Sequence, residues 1–140
     1  FKSIVGDARD MKMFKNKEFD VVFSNSVIEH VGNWEDQKRT AREIQRVGKH
    51  YFVQTPNYYF PIEPHFLFPF YQFLPQEIKI FFIRHFNLGH RPKTTDYKQA
   101  KEIISSVRLL KKNELTALFP KGILYREKIW AFTKSYIIYH

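Results

Sequence analysis

The sequence has no cysteine and no long apolar run. The absence of thiols excludes disulfides, Cys-ligated zinc and cysteine-based redox chemistry, and it is compatible with the reducing, cytoplasmic location that we expect. No stretch approaches the roughly 20 apolar residues of a membrane-spanning helix, and the first residues show neither a start methionine nor a signal-peptide pattern. We therefore expect a segment cut from a longer chain.

Acidic residues are scarce. The chain has 14 Asp and Glu against 23 Lys and Arg, which gives a net charge of +9, and +7 of this excess lies between residues 91 and 134. Such a bias can attract an anionic substrate, nucleic acid or a membrane surface, or it can form a solvated basic face. No recognised nucleic-acid-binding pattern accompanies the charge, so nucleic acid is the less favoured partner.

The first part of the chain predicts alternating strands and helices. At 140 residues the length favours one domain. Apolar runs at residues 3–5, 19–23 and 51–55 are typical of buried strands, and between the last two we predict a helix that Asn33 caps and Gly48 ends. This order is typical of an α/β fold with a parallel sheet.

Residues 57–93 have a different composition. Five of the seven prolines lie between residues 56 and 75, and eleven of the twenty-five aromatic residues lie between residues 58 and 86. Repeated prolines exclude one long helix. We predict short helices over residues 66–74 and 76–85, forming an insertion on the sheet.

The C-terminal third predicts two helices and two strands. Thr95 or Asp96 can cap a helix that carries Ala100 and Ile103 on one face, and a shorter helix around residues 115–119 would end at Pro120. The tail predicts strands over about residues 123–132 and 135–139, with a turn near residues 133–134.

Three of the predicted strands end in small or polar residues, at positions 6–8, 24–26 and 55–57. In an open α/β sheet, ligands bind beyond the carboxyl ends of the strands. The same residues can equally be ordinary turns or helix caps. The strand ends are therefore candidate binding loops, with the structural alternative still open.

Taken in order, these segments resemble a known family. The series GDARDM, EFDVVFSNSVIEHV, a helix with REIQRV, YFVQTPN and the closing RLLKKNELTALFP with its two-strand tail is similar to class I S-adenosylmethionine-dependent methyltransferases of the type 11 group. The resemblance spans nearly the whole chain. It implies a partial Rossmann-like sheet with flanking helices and a C-terminal β-hairpin, in one truncated domain over residues 1–140 with an insertion at about 57–93.

The resemblance also implies a cofactor, S-adenosylmethionine, and the residues that bind it. Asp7 would accept a hydrogen bond from the adenine amino group, and the Ala8 amide would contact the ring. Ser24, Asn25 and Ser26 would border the methionine end and the transferred methyl group. His30 would lie at the substrate mouth as a candidate catalytic base, although a residue at the start of a helix can also simply pack or cap.

The insertion is expected to cover the substrate. By the resemblance, Asn57, Tyr58, Phe60 and His65 would contact it together with His30. An almost uncharged aromatic segment favours a small apolar or aromatic acceptor. The alternatives are that these rings pack in the core, or that the segment dips into an anionic membrane surface.

The chain departs from the family pattern at its start. It has no first strand, no GxGxG loop and no acidic residue after a second strand. We therefore expect the segment alone to be inactive, or to bind the cofactor weakly. A half-domain would also expose a sheet edge, through which it could form a homodimer. A non-catalytic basic domain that binds nucleic acid or an anionic membrane is the alternative function.

A metal site is not predicted. Glu29 and His30 are adjacent and should point in different directions on a helix, and Glu63 and His65 lack the HExxH spacing. Ligand clusters are needed for such a site, and the sequence shows only scattered histidines.

Overall fold

The computed structural model describes residues 3–89 and 91–140. Its centre is a four-stranded sheet in the order β1, β2, β6, β5. These strands span β1 Phe19–Asn25, β2 Gly48–Pro56, β5 Ile123–Ile129 and β6 Phe132–Tyr139. β1 and β2 are parallel, whereas β6 is antiparallel to both β2 and β5. The predicted α/β fold with a C-terminal hairpin is confirmed, and the hairpin makes the sheet mixed.

Helix α1, Trp34–Val47, connects the two parallel strands. The Asn33 side chain accepts hydrogen bonds from the amides of Glu35 and Asp36, and Asp36 bonds back to the Asn33 amide, as the predicted cap requires. The apolar side of α1 packs on the sheet through Ala41 and Ile44, where helix α4, Lys112–Leu118, joins the same core. The sheet thus has one well-covered face.

The insertion folds around a small core of its own. It contains a two-stranded ribbon, β3 Ile62–Glu63 and β4 Phe68–Pro69, and helix α2, Gln76–His85. Helix α3, Tyr97–Ser105, packs against α2, and Asp96 caps α3 as predicted. The buried residues of this second cluster are Phe66, Tyr71, Ile80, Ile83, Leu88 and Ala100.

Three predictions of secondary structure are wrong. Residues 3–5 form no strand, and Val5 is 99% exposed, because no neighbouring strand among the described residues bonds to them. Residues 66–74 form only a ribbon strand and a 3-10 turn, since Leu67 and Phe70 have positive φ angles of 50° and 57° that no α-helix contains. The hairpin turns at residues 130–131, where Trp130 takes a φ of 56°, and not at 133–134.

The second face of the sheet is open among the described residues. Val21, Phe23, Ile123 and Tyr125 are 58–69% exposed on it or at its edge. The Phe23 ring stacks on Phe52 of the next strand with ring centroids 5.2 Å apart. No helix of the described residues is long and apolar enough to cross a membrane.

Candidate functional site

The candidate site lies beyond the carboxyl ends of β1 and β2. Because the two strands are parallel and Asn25 pairs with Gln54, both strands end at the same edge of the sheet. After β1, Ser26 takes a left-handed φ of 53°, and a one-turn 3-10 helix, Ile28–His30, follows. This is the edge at which open α/β sheets bind ligands.

The 3-10 helix is held in place by polar contacts that the sequence did not predict. The buried Gln37 side chain donates to the Ile28 carbonyl at 3.1 Å and to the Arg108 carbonyl at 2.8 Å. The Arg108 amide donates to the Glu29 carbonyl at 2.8 Å. These contacts fix the position of Glu29 and His30 relative to the core.

Glu29 is fully buried behind the strand ends. One carboxylate oxygen, Oε2, accepts a hydrogen bond from Thr55 Oγ1 of β2 at 3.0 Å. The other oxygen, Oε1, has no hydrogen-bond partner among the described residues. Burial raises the pKa of the Glu29 carboxyl above its ordinary value, and the hydrogen bonds it accepts offset only part of that rise.

His30 is exposed, and its ring faces the ring of His65. Its Nδ1 lies 3.3 Å from the carbonyl oxygen of Ser106, and its Nε2 lies 3.0 Å from Nε2 of His65. The two rings are nearly perpendicular, with centroids 4.7 Å apart. The basic nitrogen of His30 is thus directed at a second imidazole.

Glu63 orients His65 from the other side. Its Oε1 lies 2.7 Å from His65 Nδ1, and its Oε2 accepts hydrogen bonds from the amides of His65 and Phe66 at 2.8 Å. The Glu63 side chain is only 3% exposed and the His65 side chain 15%. Strand β3 of the insertion therefore presents an imidazole that is fixed in orientation.

These contacts bring Glu29, His30 and His65 together. One ligand atom from each of the three lies within 4.8 Å of the others. Glu29 is buried and His30 is exposed, yet each of these adjacent residues places a ligand atom within 4.8 Å of the other, a proximity that the sequence did not predict. His65 is one of the predicted substrate residues, and the fold of the insertion brings it next to His30.

Asp7 and Ala8 lie in an open groove of about 550 Å³ that His30, Val31 and Gly32 also line. The Arg9 guanidinium donates to both Asp7 carboxylate oxygens, from Nε at 2.9 Å and from Nη2 at 2.7 Å. The hydrogen bonds from Arg9 lower the pKa of Asp7 to about 2. The groove thus joins two predicted cofactor residues to His30.

The other predicted cofactor residues lie apart from that groove. Asn25 and Ser26 line a second cavity of about 500 Å³ with Phe60. Ser26 Oγ donates to Gln54 Oε1 at 3.0 Å. Ser24 is buried, and its hydroxyl has no hydrogen-bond partner among the described residues.

The remaining predicted substrate residues have structural contacts. Asn57 is 5% exposed; its Nδ2 donates to the Thr133 carbonyl at 2.8 Å, and its Oδ1 accepts from the Tyr59 amide at 3.0 Å. Tyr58 packs beneath Lys111 Nζ, 5.3 Å from the ring centroid, and lines a third cavity of about 380 Å³. Both side chains lie away from the His30 groove.

Sequence comparison identifies a methyltransferase signature. Residues 1–51 match the family model described as a methyltransferase domain. An uncharacterized protein of Mycobacterium tuberculosis, found in two strains, is 38% identical over 69 residues, which make up 49% of this chain and 23% of the relative. The chain therefore spans about a quarter of the length of the curated relatives it matches.

Structural comparison identifies the fold. A S-adenosylmethionine-dependent methyltransferase from Methanosarcina mazei has a TM-score of 0.50 at 13% identity, covering 97% of this chain and 64% of that one. A possible exported protein from Bordetella parapertussis has a TM-score of 0.51 at 12% identity, covering 96% of this chain and 41% of that one. The predicted resemblance to methyltransferases is confirmed by the family model over residues 1–51, and the solved structures confirm the Rossmann-like α/β fold.

Proposed function

We propose that this chain forms the acceptor side of a domain that transfers a methyl group from S-adenosylmethionine. The observation that carries the proposal is the strand-end groove, in which Asp7 and Ala8 of the signature segment meet His30. A ligand site at this edge is what the sheet topology favours. A cytoplasmic location accords with the lack of cysteine and is part of the proposal.

The cofactor would bind with its adenine against Asp7 and its methionine end near Asn25 and Ser26. An ionised carboxylate has lone pairs beyond those that Arg9 occupies, so Asp7 can still accept a hydrogen bond from an exocyclic amine. The sequence supplies no GxGxG loop for the methionine moiety. We therefore expect the 140-residue chain to bind the cofactor weakly.

The acceptor would be a small apolar or aromatic molecule with a nucleophilic hydroxyl. The cavity beside Asn25 and Ser26 supports this, since Phe23, Phe52 and Phe60 line it. Pro64, the neighbour of His65 in the sequence, lines the same cavity. Rings of this kind bind apolar surface, while the polar loop sets orientation.

In the transfer, the acceptor oxygen forms a bond to the methyl carbon as the carbon–sulfur bond breaks. The electron pair of the broken bond stays on sulfur, which becomes a neutral thioether, and the hydroxyl proton leaves the acceptor. The main demand on the protein is to align oxygen, carbon and sulfur. The His30–His65 pair lies at this edge and would promote loss of the proton.

Amide chemical shifts measured by NMR during titration with S-adenosylmethionine test the proposal. We expect shifts at residues 7–8, 24–26 and 30, with a dissociation constant on the order of 1 mM. The Asp7→Ala variant should weaken these shifts. Asp20→Ala is the matched control, because Asp20 is also an exposed aspartate in an ion pair, with Lys49 at 2.7 Å, at the opposite end of β1.

Two results would overturn the proposal. One is the absence of shifts at the strand ends at saturating cofactor. The other is a response confined to the basic residues between 91 and 134, which would favour a general anion-binding domain. Micromolar affinity would contradict the narrower expectation that this chain binds weakly.

A further inference from the structure

We propose that Glu29, His30 and His65 bind one divalent transition-metal cation at the strand-end edge. The three residues offer two imidazole nitrogens and one carboxylate oxygen, all within 4.8 Å of one another. Two histidines with one glutamate are a ligand set that zinc takes in catalytic sites, where a further position stays open for water or substrate. The cation site goes beyond the methyl-transfer function; only its use on the acceptor rests on that function.

The inference rests on which ring nitrogen of each histidine carries the proton. His30 Nδ1 faces the Ser106 carbonyl oxygen, and His65 Nδ1 faces the Glu63 carboxylate. Both partners only accept hydrogen bonds, so each Nδ1 carries the proton and each Nε2 presents a lone pair. The two lone pairs face each other across 3.0 Å and repel unless an electrophile lies between them.

The distances suit a cation as that electrophile. Zinc binds histidine nitrogen at roughly 2.0–2.1 Å, so nitrogens 3.0 Å apart can both reach one ion. The Glu29 carboxylate lies within 4.8 Å of both nitrogens, and a rotation of its side chain would complete the set.

The buried Glu29 oxygen is an independent observation that points to the same ligand. Oε1 of this fully buried residue has no hydrogen-bond partner among the described residues. Buried charges in proteins are paired or coordinate metals. A divalent cation would balance Glu29 and, through His65, the Glu63 carboxylate, so the charges of the group sum to zero.

Glu63 acts as a positioning residue. Histidines that bind metals commonly donate their other ring N–H to a carboxylate, which fixes the ring and makes its ligating nitrogen more basic. The contact of 2.7 Å between Glu63 Oε1 and His65 Nδ1 has this arrangement. Glu63 has 3% side-chain exposure and accepts two backbone amides, so it holds His65 rigidly.

The cation gives the His30–His65 pair a chemical role in methyl transfer. A hydroxyl or water bound to zinc loses its proton to the solvent near neutral pH. An acceptor hydroxyl at the open position would become a metal-bound oxyanion, the better nucleophile for the methyl carbon. Where the sequence suggests His30 as a base, the structure assigns it as a ligand.

The experiment is a titration of the chelator-treated chain with Co²⁺, followed by its visible absorption, and with Zn²⁺ by calorimetry. We expect one equivalent of each ion to bind, with micromolar or tighter affinity. His30→Ala is the first variant. Among the described residues this exposed side chain has polar contacts only with the Ser106 carbonyl and His65, so its loss should not affect folding. It should abolish the Co²⁺ bands.

The second variant, Glu63→Gln, should weaken binding by about 10–100-fold and shift the Co²⁺ bands, while thermal unfolding in chelator confirms that the fold persists. His85→Ala and His50→Ala are the controls. Both histidines are exposed, with Nδ1 near the carbonyls of Phe81 and His140 respectively, and their loss should leave binding unchanged.

The proposal is overturned if neither ion binds. It is also overturned if the control variants reduce binding as much as His30→Ala does. Both titrations use the metal alone, so their failure is distinguishable from a failure of the S-adenosylmethionine titration.

Discussion

The bidentate ion pair between Arg9 and Asp7 determines the charge of the proposed adenine contact at each pH. Arg9 lowers the Asp7 pKa through its side-chain and backbone hydrogen bonds, and the Asp7 side chain is 47% exposed. The carboxylate is therefore ionised over the whole physiological range. A depressed carboxyl pKa contributes stability above its unfolded value, and this contribution is lost as the pH falls through the folded value.

We expect the Asp7 carboxyl to titrate at about 2 in the parent chain and at about its ordinary 3.8 in Arg9→Ala. Carbon-13 NMR of the side-chain carboxyls measures this directly. Asp20 is the internal control, because Lys49 and not Arg9 lowers its pKa. An unchanged pKa of Asp7 in the variant would mean that the ion pair between Arg9 and Asp7 does not form in solution.

The hydrogen bond between Glu29 and Thr55 should contribute to the free energy of unfolding. Thr55→Val removes the Oγ1 donor, the one side-chain donor to the Glu29 carboxylate among the described residues. An unsatisfied buried acceptor costs about 1–3 kcal/mol of the free energy of unfolding. Urea unfolding in chelator should show this loss.

Two further variants complete that test. Replacing both partners with apolar groups can be nearly neutral, so Glu29→Met combined with Thr55→Val should recover most of the loss. Thr116→Val, at a partly exposed helix position where the hydroxyl bonds only to carbonyls of its own helix, should change stability by less than about 0.5 kcal/mol. An equal loss for Thr55→Val and Thr116→Val would contradict the account.

Helix α1 links the cap at Asn33 to the position of the site. Its first turn follows directly on the segment that holds His30, and Gln37 ties that segment to the helix. Asn33→Ala removes the acceptor for two first-turn amides and should cost about 1 kcal/mol. Asn33→Asp keeps a capping oxygen and should stay close to the parent in thermal unfolding. Equal stability of the two variants would show that the cap contributes little.

Elements with a strong local signal were predictable from the sequence. The cap at Asn33 with apolar residues at helical spacing defines α1, and the Phe19 run defines β1. The run at residues 3–5 has the same composition as a strand but fails, because a strand also needs a neighbour to bond to. The helix predicted over residues 66–74 does not form, because Leu67 and Phe70 take left-handed backbone angles.

The site was predictable only in part, for a related reason. The carboxyl ends of parallel strands follow from topology, so Ser26 and His30, which come after β1, can be expected near one edge. Glu63 and His65 reach that edge through a ribbon that pairs Glu63 with Phe68, in a segment where prolines and aromatics conceal the strand pattern. The convergence of Glu29, His30 and His65 is a tertiary property with no spacing in the sequence.

In the molecule as a whole, one face of the sheet is open among the described residues. Phe23 is 69% exposed, and β1 pairs with no strand except β2 among the described residues. An exposed edge strand with apolar side chains is a template for pairing with another chain. We expect the isolated chain to associate with a second copy through this face.

Light scattering over a range of concentrations tests the association. Phe23→Thr keeps a good strand former and should shift the chain towards monomer. Phe81→Gln is the control, since Phe81 is also an exposed ring, at 52%, but lies on α2 of the insertion. A chain that stays monomeric at all concentrations, or one that Phe81→Gln disrupts equally, would exclude the sheet face as the interface.

In the proposed function, the strand-end edge receives a methyl donor whose methyl group points towards Ser26 and the His30–His65 pair. The most direct measurement is the set of intermolecular nuclear Overhauser effects between the S-methyl protons of S-adenosylmethionine and the protein. We expect contacts from the methyl protons to Ser26 and to the ring protons of His30 or His65. Contacts only to helices α3 and α4, or none to residues 24–30 while the cofactor is bound, would contradict the proposed function.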